Sequence, residues 1–393
     1  MRSKLRPVAE LGGPLALVAV VALVGSALSI AQQQNAINVL VIATIVVALY
    51  VFIGNSGVLS FGQISFVAVG AFAAGILTSP VATRRTNMPN LFGFLGTTQI
   101  SNVESVALAV GLGAIFAFLA GLGLMRLSGL SAGIATFAVL EITYDVLTYW
   151  DKIGPGATTL ALVPVTTGLF MGAAGCGTAI VAAFAYQHTR SCRLLRASRE
   201  DLVAAQGIGI SVFRHRLVAF TISGGISGLA GALFVHELGS INTGQVYMDL
   251  TFATLAMLVV GGTGSLWGAM VGGTGLGVVE LFLSDAQNGV SLGSLHVTLP
   301  NGMRVVILGV LMVVVLMIAP KGVTGSREFL EHFLSARPGR VLTGRTGTEP
   351  EIGGSVVGDE SQAPHRLVPR RETRASRLRT ASARSWVNRF PRR

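Results

Sequence analysis

Acidic residues in apolar surroundings are the first place to look for chemistry in this chain. Glu141 and Asp145 lie four apart in "GLSAGIATFAVLEITYDVLTYW" (129–150), a spacing that puts both carboxylates on one face of a helix. Paired carboxylates can serve acid–base hydrolysis of a glycoside, but no cleft or supporting polar pattern accompanies this pair. An ionisable group amid hydrocarbon is costly enough to mark either a solute pathway or a structural hydrogen bond. Both readings stand for Glu141, whereas Asp145, beside Tyr149 and Trp150, is near enough to a helix end to reach an interface.

Other chemistries find little support. The six histidines are scattered, and Cys176 and Cys192 fall in unlike surroundings, one apolar and one charged. No His/Cys/Asp/Glu set has metal-ligand spacing, so neither a metal nor a cofactor is expected, and two free thiols are expected rather than a disulfide. A phosphate-cradling loop needs Gly-Lys-Ser/Thr, yet Lys4, Lys152 and Lys321 follow Ser, Asp and Pro. The chain is therefore read as having no nucleotide-hydrolysis site of its own and as not an enzyme. "TISGGISG" (221–228) is superficially similar to the signature loop of transport ATPases, but it lies inside an apolar run, where Gly224-x-x-x-Gly228 fits close helix packing.

One block is unusually charged. Between Arg190 and Arg216 stand six arginines with Glu200 and Asp201, in a chain with only 12% charged residues. "SREDLVAAQGIGISVFRH" (198–215) reads as an amphipathic helix, a glycine turn at Gly209 and a second short element leading into apolar sequence. The plain alternative is a loop held on one side of a membrane by its positive charge.

The elements that must position these residues are membrane spans. The 393-residue chain is 51% hydrophobic with a mean hydropathy of +0.66, too apolar to cover a water-facing surface. Crossing about 30 Å of hydrocarbon takes about 20 helical residues. Ten segments meet this pattern, at about 14–31, 37–53, 58–78, 105–125, 130–149, 166–186, 217–236, 249–261, 268–283 and 303–319. The first is read as a retained span rather than a signal peptide. The expected class is an all-α polytopic membrane protein: residues 1–13 on the inside, a transmembrane unit over 14–325, and a basic, disordered inside tail over 326–393. With both termini inside, and leaving aside those from Lys321 onward, ten Lys and Arg fall on the inner side, against Arg84, Arg85, Lys152 and Arg304 on the outer. That orientation puts the loop 187–216 in the cytoplasm.

Two glycine-rich breaks interrupt apolar runs, "GNSGVLSFGQ" (54–63) and "VVGGTGSLWGAMVGGTGLG" (259–277). Broken helices in hydrocarbon are tolerated only against protein or a watery cavity, and in solute-moving proteins they mark the pathway and an inverted repeat. A repeat is expected here, although the second break comes one segment late. Gly264-x-x-x-Gly268, Gly268-x-x-x-Gly272 and Gly273-x-x-x-Gly277 add small-residue faces for packing within the chain or against a second subunit.

"RASREDLVAAQGIGISVFRHRLVAFTISGGISGLAGALF" (196–234), "NSGVLSFGQISFVAVGAFAAGIL", "YWDKIGPGATTLALVP", "VVGGTGSLWGAMVGG" and "GVLMVVVLMIAPKGVTG" together resemble the branched-chain amino-acid permeases of the ABC import family, over about residues 37–325. The resemblance implies an importer's membrane subunit for branched-chain or related amino acids in the cell membrane. Urea or short-amide carriers, and a stand-alone channel or secondary transporter, are the alternatives. It implies a sister permease, two cytoplasmic ATP-binding subunits, an extracytoplasmic solute-binding protein and membrane lipid as partners, with no nucleic acid. The family's coupling motif is Glu-Ala-Ala, three residues, then Gly. Ala204, Ala205 and Gly209 match, Val203 replaces the glutamate, and Arg199, Glu200 and Asp201 complete the expected docking set. The pathway is expected near Asn55, Ser56, Gln63, Glu141, Gly261, Gly262 and Gly264.

Overall fold

A computed structural model describes residues 2–288, 290–292, 295–297, 300, 303–319 and 322–325; the expected tail over 326–393 lies outside them. The chain is helical almost throughout: α1 (Arg2–Ala27), α2 (Ile30–Ser56), α3 (Gln63–Thr78), α4 (Val81–Asn87), α5 (Gly93–Thr97), α6 (Asn102–Leu124), α7 (Gly129–Tyr149), α8 (Leu169–Gln187), α9 (Arg190–Glu200), α10 (Leu202–Gly207), α11 (Val212–Leu238), α12 (Met248–Gly261), α13 (Leu266–Asn288) and α14 (Met303–Ile318). A 3₁₀ turn, Thr243–Val246, precedes α12, and a short hairpin pairs Val290–Leu292 with Leu295–Val297.

Each of the ten expected segments holds a helix. Among the described residues, eight helices are long and apolar enough to cross a membrane, α12 being counted together with the 3₁₀ turn before it as Thr243–Gly261. The two that fall short, α3 and α14, have 16 residues each, or about 24 Å, and α3 turns through 114° into α4 at Pro80, whose ring cannot continue the helix. The first span ends at Ala27 rather than at residue 31, because Ser29 starts a new helix with Gln32 folding back onto its N–H at 3.4 Å. The sixth starts at Leu169 rather than 166. The residues before it run extended alongside 236–241, with Leu160 N–H to Ile241 O at 2.8 Å and Val163 N–H to Gly239 O at 3.0 Å.

α2 and α11 are mostly buried, while α1 and α6 expose most of their surface. α11 can be central because glycine lets backbones touch. A methyl built on Gly228 would lie 2.1 Å from Ala109 O of α6, and one on Gly231 2.1 Å from Val67 O of α3. Ser223 Oγ adds a hydrogen bond to Ala48 O of α2 at 2.7 Å. The later glycine motifs also pack within the chain: a methyl on Gly261 would meet Gly268 O at 2.1 Å, one on Gly272 would meet Met257 O at 2.0 Å, and Gly273 and Gly277 face α2.

Gly228→Leu should therefore destabilise the fold by 3 kcal/mol or more, at or above the upper end of the roughly 1–3 kcal/mol typical of overpacking, because the contact is backbone. Gly111→Ala on α6, where a methyl meets nothing within 4 Å, should be neutral or gain up to about 1 kcal/mol. Thermal melts of the two variants in detergent check the contrast.

Candidate functional site

Two regions gather polar groups. The first is the α9–α10 segment. Thr189 starts α9, its Oγ1 accepting from Cys192 N–H at 3.2 Å, and Cys192, Leu195 and Ser198 form a buried stripe at helical spacing. The arginines on α9 close the carboxyl end of α2, where helix carbonyls lack partners and carry partial negative charge. Arg199 Nη1 donates to Gly54 O at 2.7 Å, Arg196 Nε to Asn55 Oδ1 at 2.7 Å, and Arg196 Nη2 to Tyr50 Oη at 3.0 Å. Cys192 Sγ also donates to Asn55 Oδ1, at 3.2 Å. Gly57, at φ 69°, ends α2 in the left-handed conformation directly beneath the Arg199 stem.

The sequence reads as an amphipathic helix with Glu200 and Asp201 near its start, running to the Gly209 turn. In the structure α10 does start there: the Asp201 carboxylate caps it by accepting from Val203 N–H and Ala204 N–H, both at 2.9 Å, and α9 ends directly before it. Asp201 is thus committed to the backbone, and Glu200 is exposed. On α10 only Ala205 is buried; Ala204 is exposed, and Val203 and the following Ile208 are 78% and 79% exposed. Gly209 turns the chain at φ 83°. Arg216 is buried and donates to Leu127 O at 2.9 Å, fixing the start of α11.

The two glycine breaks meet at this same end of the bundle. A methyl on Gly54 would lie 2.6 Å from Thr263 O, so the end of α2 that carries Asn55 and Ser56 meets the break between Gly262 and Gly264. Gly262 departs from helix at φ 118°, and the carbonyls this exposes are taken up by the closing segment: Val323 N–H to Val260 O at 2.8 Å and Thr324 Oγ1 to Gly261 O at 2.9 Å. Gln63 starts α3 fully buried, with neither amide atom hydrogen-bonded; Ser60 Oγ and Ser65 Oγ are likewise unpartnered. Glu141 is half-buried and accepts from Tyr247 Oη, with the Tyr144 and Tyr247 rings stacked at 4.1 Å.

The second region is a cavity of about 1440 Å³ between α2, α11, α12, α13 and α14. None of the expected pathway residues lines it. Its polar groups come instead from the amino end of α2 (Gln34, Asn35, Asn38), the carboxyl end of α11 (Glu237) and the turn before α12 (Asn242, Gln245), with Asp249 and Glu280 beside them. These groups lie at the end of the bundle away from α9 and α10. Its apolar lining reaches to Leu59 and Phe61 in the first break and Val259 just before the second, so Asn55, Ser56, Gln63 and the Gly261–Gly264 break sit behind its floor, whereas Glu141 is bonded to Tyr247, beside the polar end. Sequence reasoning missed the polar end because "QQQN" falls between the first two expected spans and Glu237 just past the seventh.

Tightly packed glycine-broken spans, a polar-ended cavity and a clamped helical loop define an all-α, multi-pass membrane permease. Residues 33–316 match the family model described as branched-chain amino acid transport system / permease component, and the chain belongs to that family. Relatives include the high-affinity branched-chain amino acid transport system permease protein LivH of Salmonella typhimurium, 34% identical over 36% of this chain and 42% of its own length. LivM of the same organism is 25% identical over 70% of this chain and 65% of its own length. The autoinducer 2 import system permease protein LsrC of Enterobacter is 28% identical over 43% and 52%. The chain thus spans less than two thirds of the length of these relatives. No solved structure matches it.

Replacing Asp201 by Ala should cost about 1 kcal/mol of local helix stability and Asp201→Asn little, which hydrogen exchange across residues 202–207 would resolve. Burial pushes the Cys192 thiol above its ordinary range, against the opposing pull of Arg196, which keeps the thiolate scarce at neutral pH. Maleimide should therefore label Cys192 at neutral pH only after unfolding, and faster in the folded protein as pH rises.

Proposed function

We propose that this chain is the membrane-spanning subunit of an ABC importer for branched-chain or related amino acids. It works in the cell membrane beside a sister permease, with both termini in the cytoplasm. Two ATP-binding subunits dock on α10, and an extracytoplasmic binding protein delivers solute to the opposite end. The observation that carries this reading is the α9–α10 segment. A short helix that exposes Val203, Ala204 and Ile208 to water has an apolar surface suited to a partner. α9, joined to it at Asp201, is hydrogen-bonded to the end of α2, whose other end reaches the cavity. A push on α10 is thereby transmitted to a pathway helix rather than absorbed by a slack loop.

Arg199, Glu200, Asp201, Ala204, Ala205 and Gly209 divide the work. Arg199 anchors the segment, Asp201 shapes it, Ala205 seats it, Gly209 turns it, and Ala204 and Glu200 face the partner. Transport proceeds by alternating access. The cavity is the state open away from α10, and its floor at Leu59, Phe61 and the joined glycine breaks must part to release solute. Asn55, Ser56, Gln63 and Gly261–Gly264 then line the inner half of the route, where the unpartnered Gln63 amide and Ser60 and Ser65 hydroxyls would meet water or solute. Nucleotide-driven closure of the partners favours one of the two states by differential contact.

The LsrC relative, named for autoinducer 2 import, supports a second reading in which the cargo is autoinducer 2; urea and short amides are further candidates. Uptake of labelled leucine, urea and autoinducer 2 by the reconstituted complex, with and without the ATP-binding subunits, separates these and distinguishes a stand-alone channel. Ala204→Arg and Gly209→Arg should cut uptake at least 100-fold while leaving membrane insertion intact. Normal uptake in both variants would overturn docking through α10.

A further inference from the structure

The carboxylate of Glu237 is the least satisfied charged group on the cavity wall. Glu237 is 3% exposed and lines the cavity, and its Oε2 has no hydrogen-bond partner. The Asn38 side chain is within hydrogen-bonding reach of the carboxyl. The Gln34 amide is spent on the Glu237 backbone carbonyl, at 3.3 Å. The adjacent His236 makes no hydrogen bond to the carboxylate, its two ring nitrogens meeting Thr78 Oγ1 at 3.1 Å and Ala232 O at 2.8 Å instead. A carboxylate one residue from the end of α11 also faces the negative pole of that helix.

Among the described residues, the cavity lining supplies no cation to correct this. Asp249 and Glu280 line it too, and no Lys, Arg or His is among the described residues that do. A buried ionisable group that packing does not compensate marks a functional site, and the missing partner is a positive one.

We propose that Glu237 is a specificity-determining residue that takes up the ammonium group of the transported molecule. The substrate class is then small amines and zwitterions with an apolar body. The ammonium pairs with Oε2, the side chain lies on the apolar wall toward Phe252 and Val259, and amides such as Asn35 and Asn242 receive the carboxylate. A neutral amide or polyol finds hydrogen bonds there but leaves the charge unpaired, and an anion meets three carboxylates. This inference rests on the importer reading for its biological use, but binding to the chain alone tests it.

Four probes share one branched skeleton: isopentylamine, L-leucine, isovaleramide and isovalerate. Their binding to the full chain in nanodiscs is measured by saturation-transfer NMR. Amine and leucine should bind at least ten-fold more tightly than amide and acid. Glu237→Gln should weaken both at least ten-fold, and Glu237→Asp should retain most of the binding. Equal binding of amine and amide by the native chain, or unchanged leucine binding in Glu237→Gln, would overturn the proposal. Should Glu237→Gln fail to fold by thermal melt, the head-group series on the native chain decides alone. Leucine uptake by the complete transporter is a separate readout. Selective amine binding without leucine uptake overturns the amino-acid reading and supports the subsite, whereas leucine uptake without head-group selectivity overturns the subsite alone.

Discussion

A helix broken inside hydrocarbon frees carbonyls that water cannot reach, and each must find a donor within the protein. This constraint organises the whole molecule. α2 stops at Ser56 and α12 at Gly261, and the two stops lie against each other. The donors come from far along the chain: Arg199 reaches Gly54 O, while Val323 and Thr324 reach Val260 O and Gly261 O. The charged loop and the closing Gly322–Gly325 segment are therefore parts of the membrane fold. Charge that seems only to hold a loop on one side of a membrane also completes the hydrogen bonding of α2.

The second organising element is α11. Its glycines bring α6 and α3 to backbone contact, and Ser223 ties it to α2. Such contacts leave little room for sliding between α2, α3, α6 and α11, so this group moves as a unit if it moves at all. α2 runs for 27 residues, about 40 Å, with the arginine clamp at one end and Gln34, Asn35 and Asn38 at the other. It is a strut joining the exposed loop to the cavity, and the same residues that make it a membrane span make it stiff. On the proposed reading, force applied at α10 and solute held near Glu237 would be read by one rigid body, which would give coupling between the two sites a physical carrier.

Several features were legible from local sequence alone. The ten apolar segments each correspond to a helix, because hydrophobic length is a local property. The breaks at Gly57 and Gly262 and the turn at Gly209 were legible because positive φ favours glycine. The helix start at Glu200 and Asp201 was legible as acids at the head of a helical run, but the end of α9 directly before it was not, because only the direction of the Asp201 side chain separates the two helices. Glu141 was ambiguous for a similar reason, since its partner Tyr247 lies 106 residues away. The small-residue motifs left self-packing and subunit packing open; Gly224, Gly228, Gly268, Gly272, Gly273 and Gly277 all pack within the chain.

By itself the sequence determined that the chain lives in hydrocarbon, where its spans are interrupted, and which loop is built for more than topology. Hydropathy, glycine and a capping carboxylate act over a few residues and need no distant partner. Only the tertiary structure decided where the cavity lies and what lines it. Gln34 and Glu237 are separated by 203 positions and stand at helix ends that local patterns treat as interface. They become the polar wall of a cavity because antiparallel packing of α2 on α11 brings the start of one helix to the finish of the other.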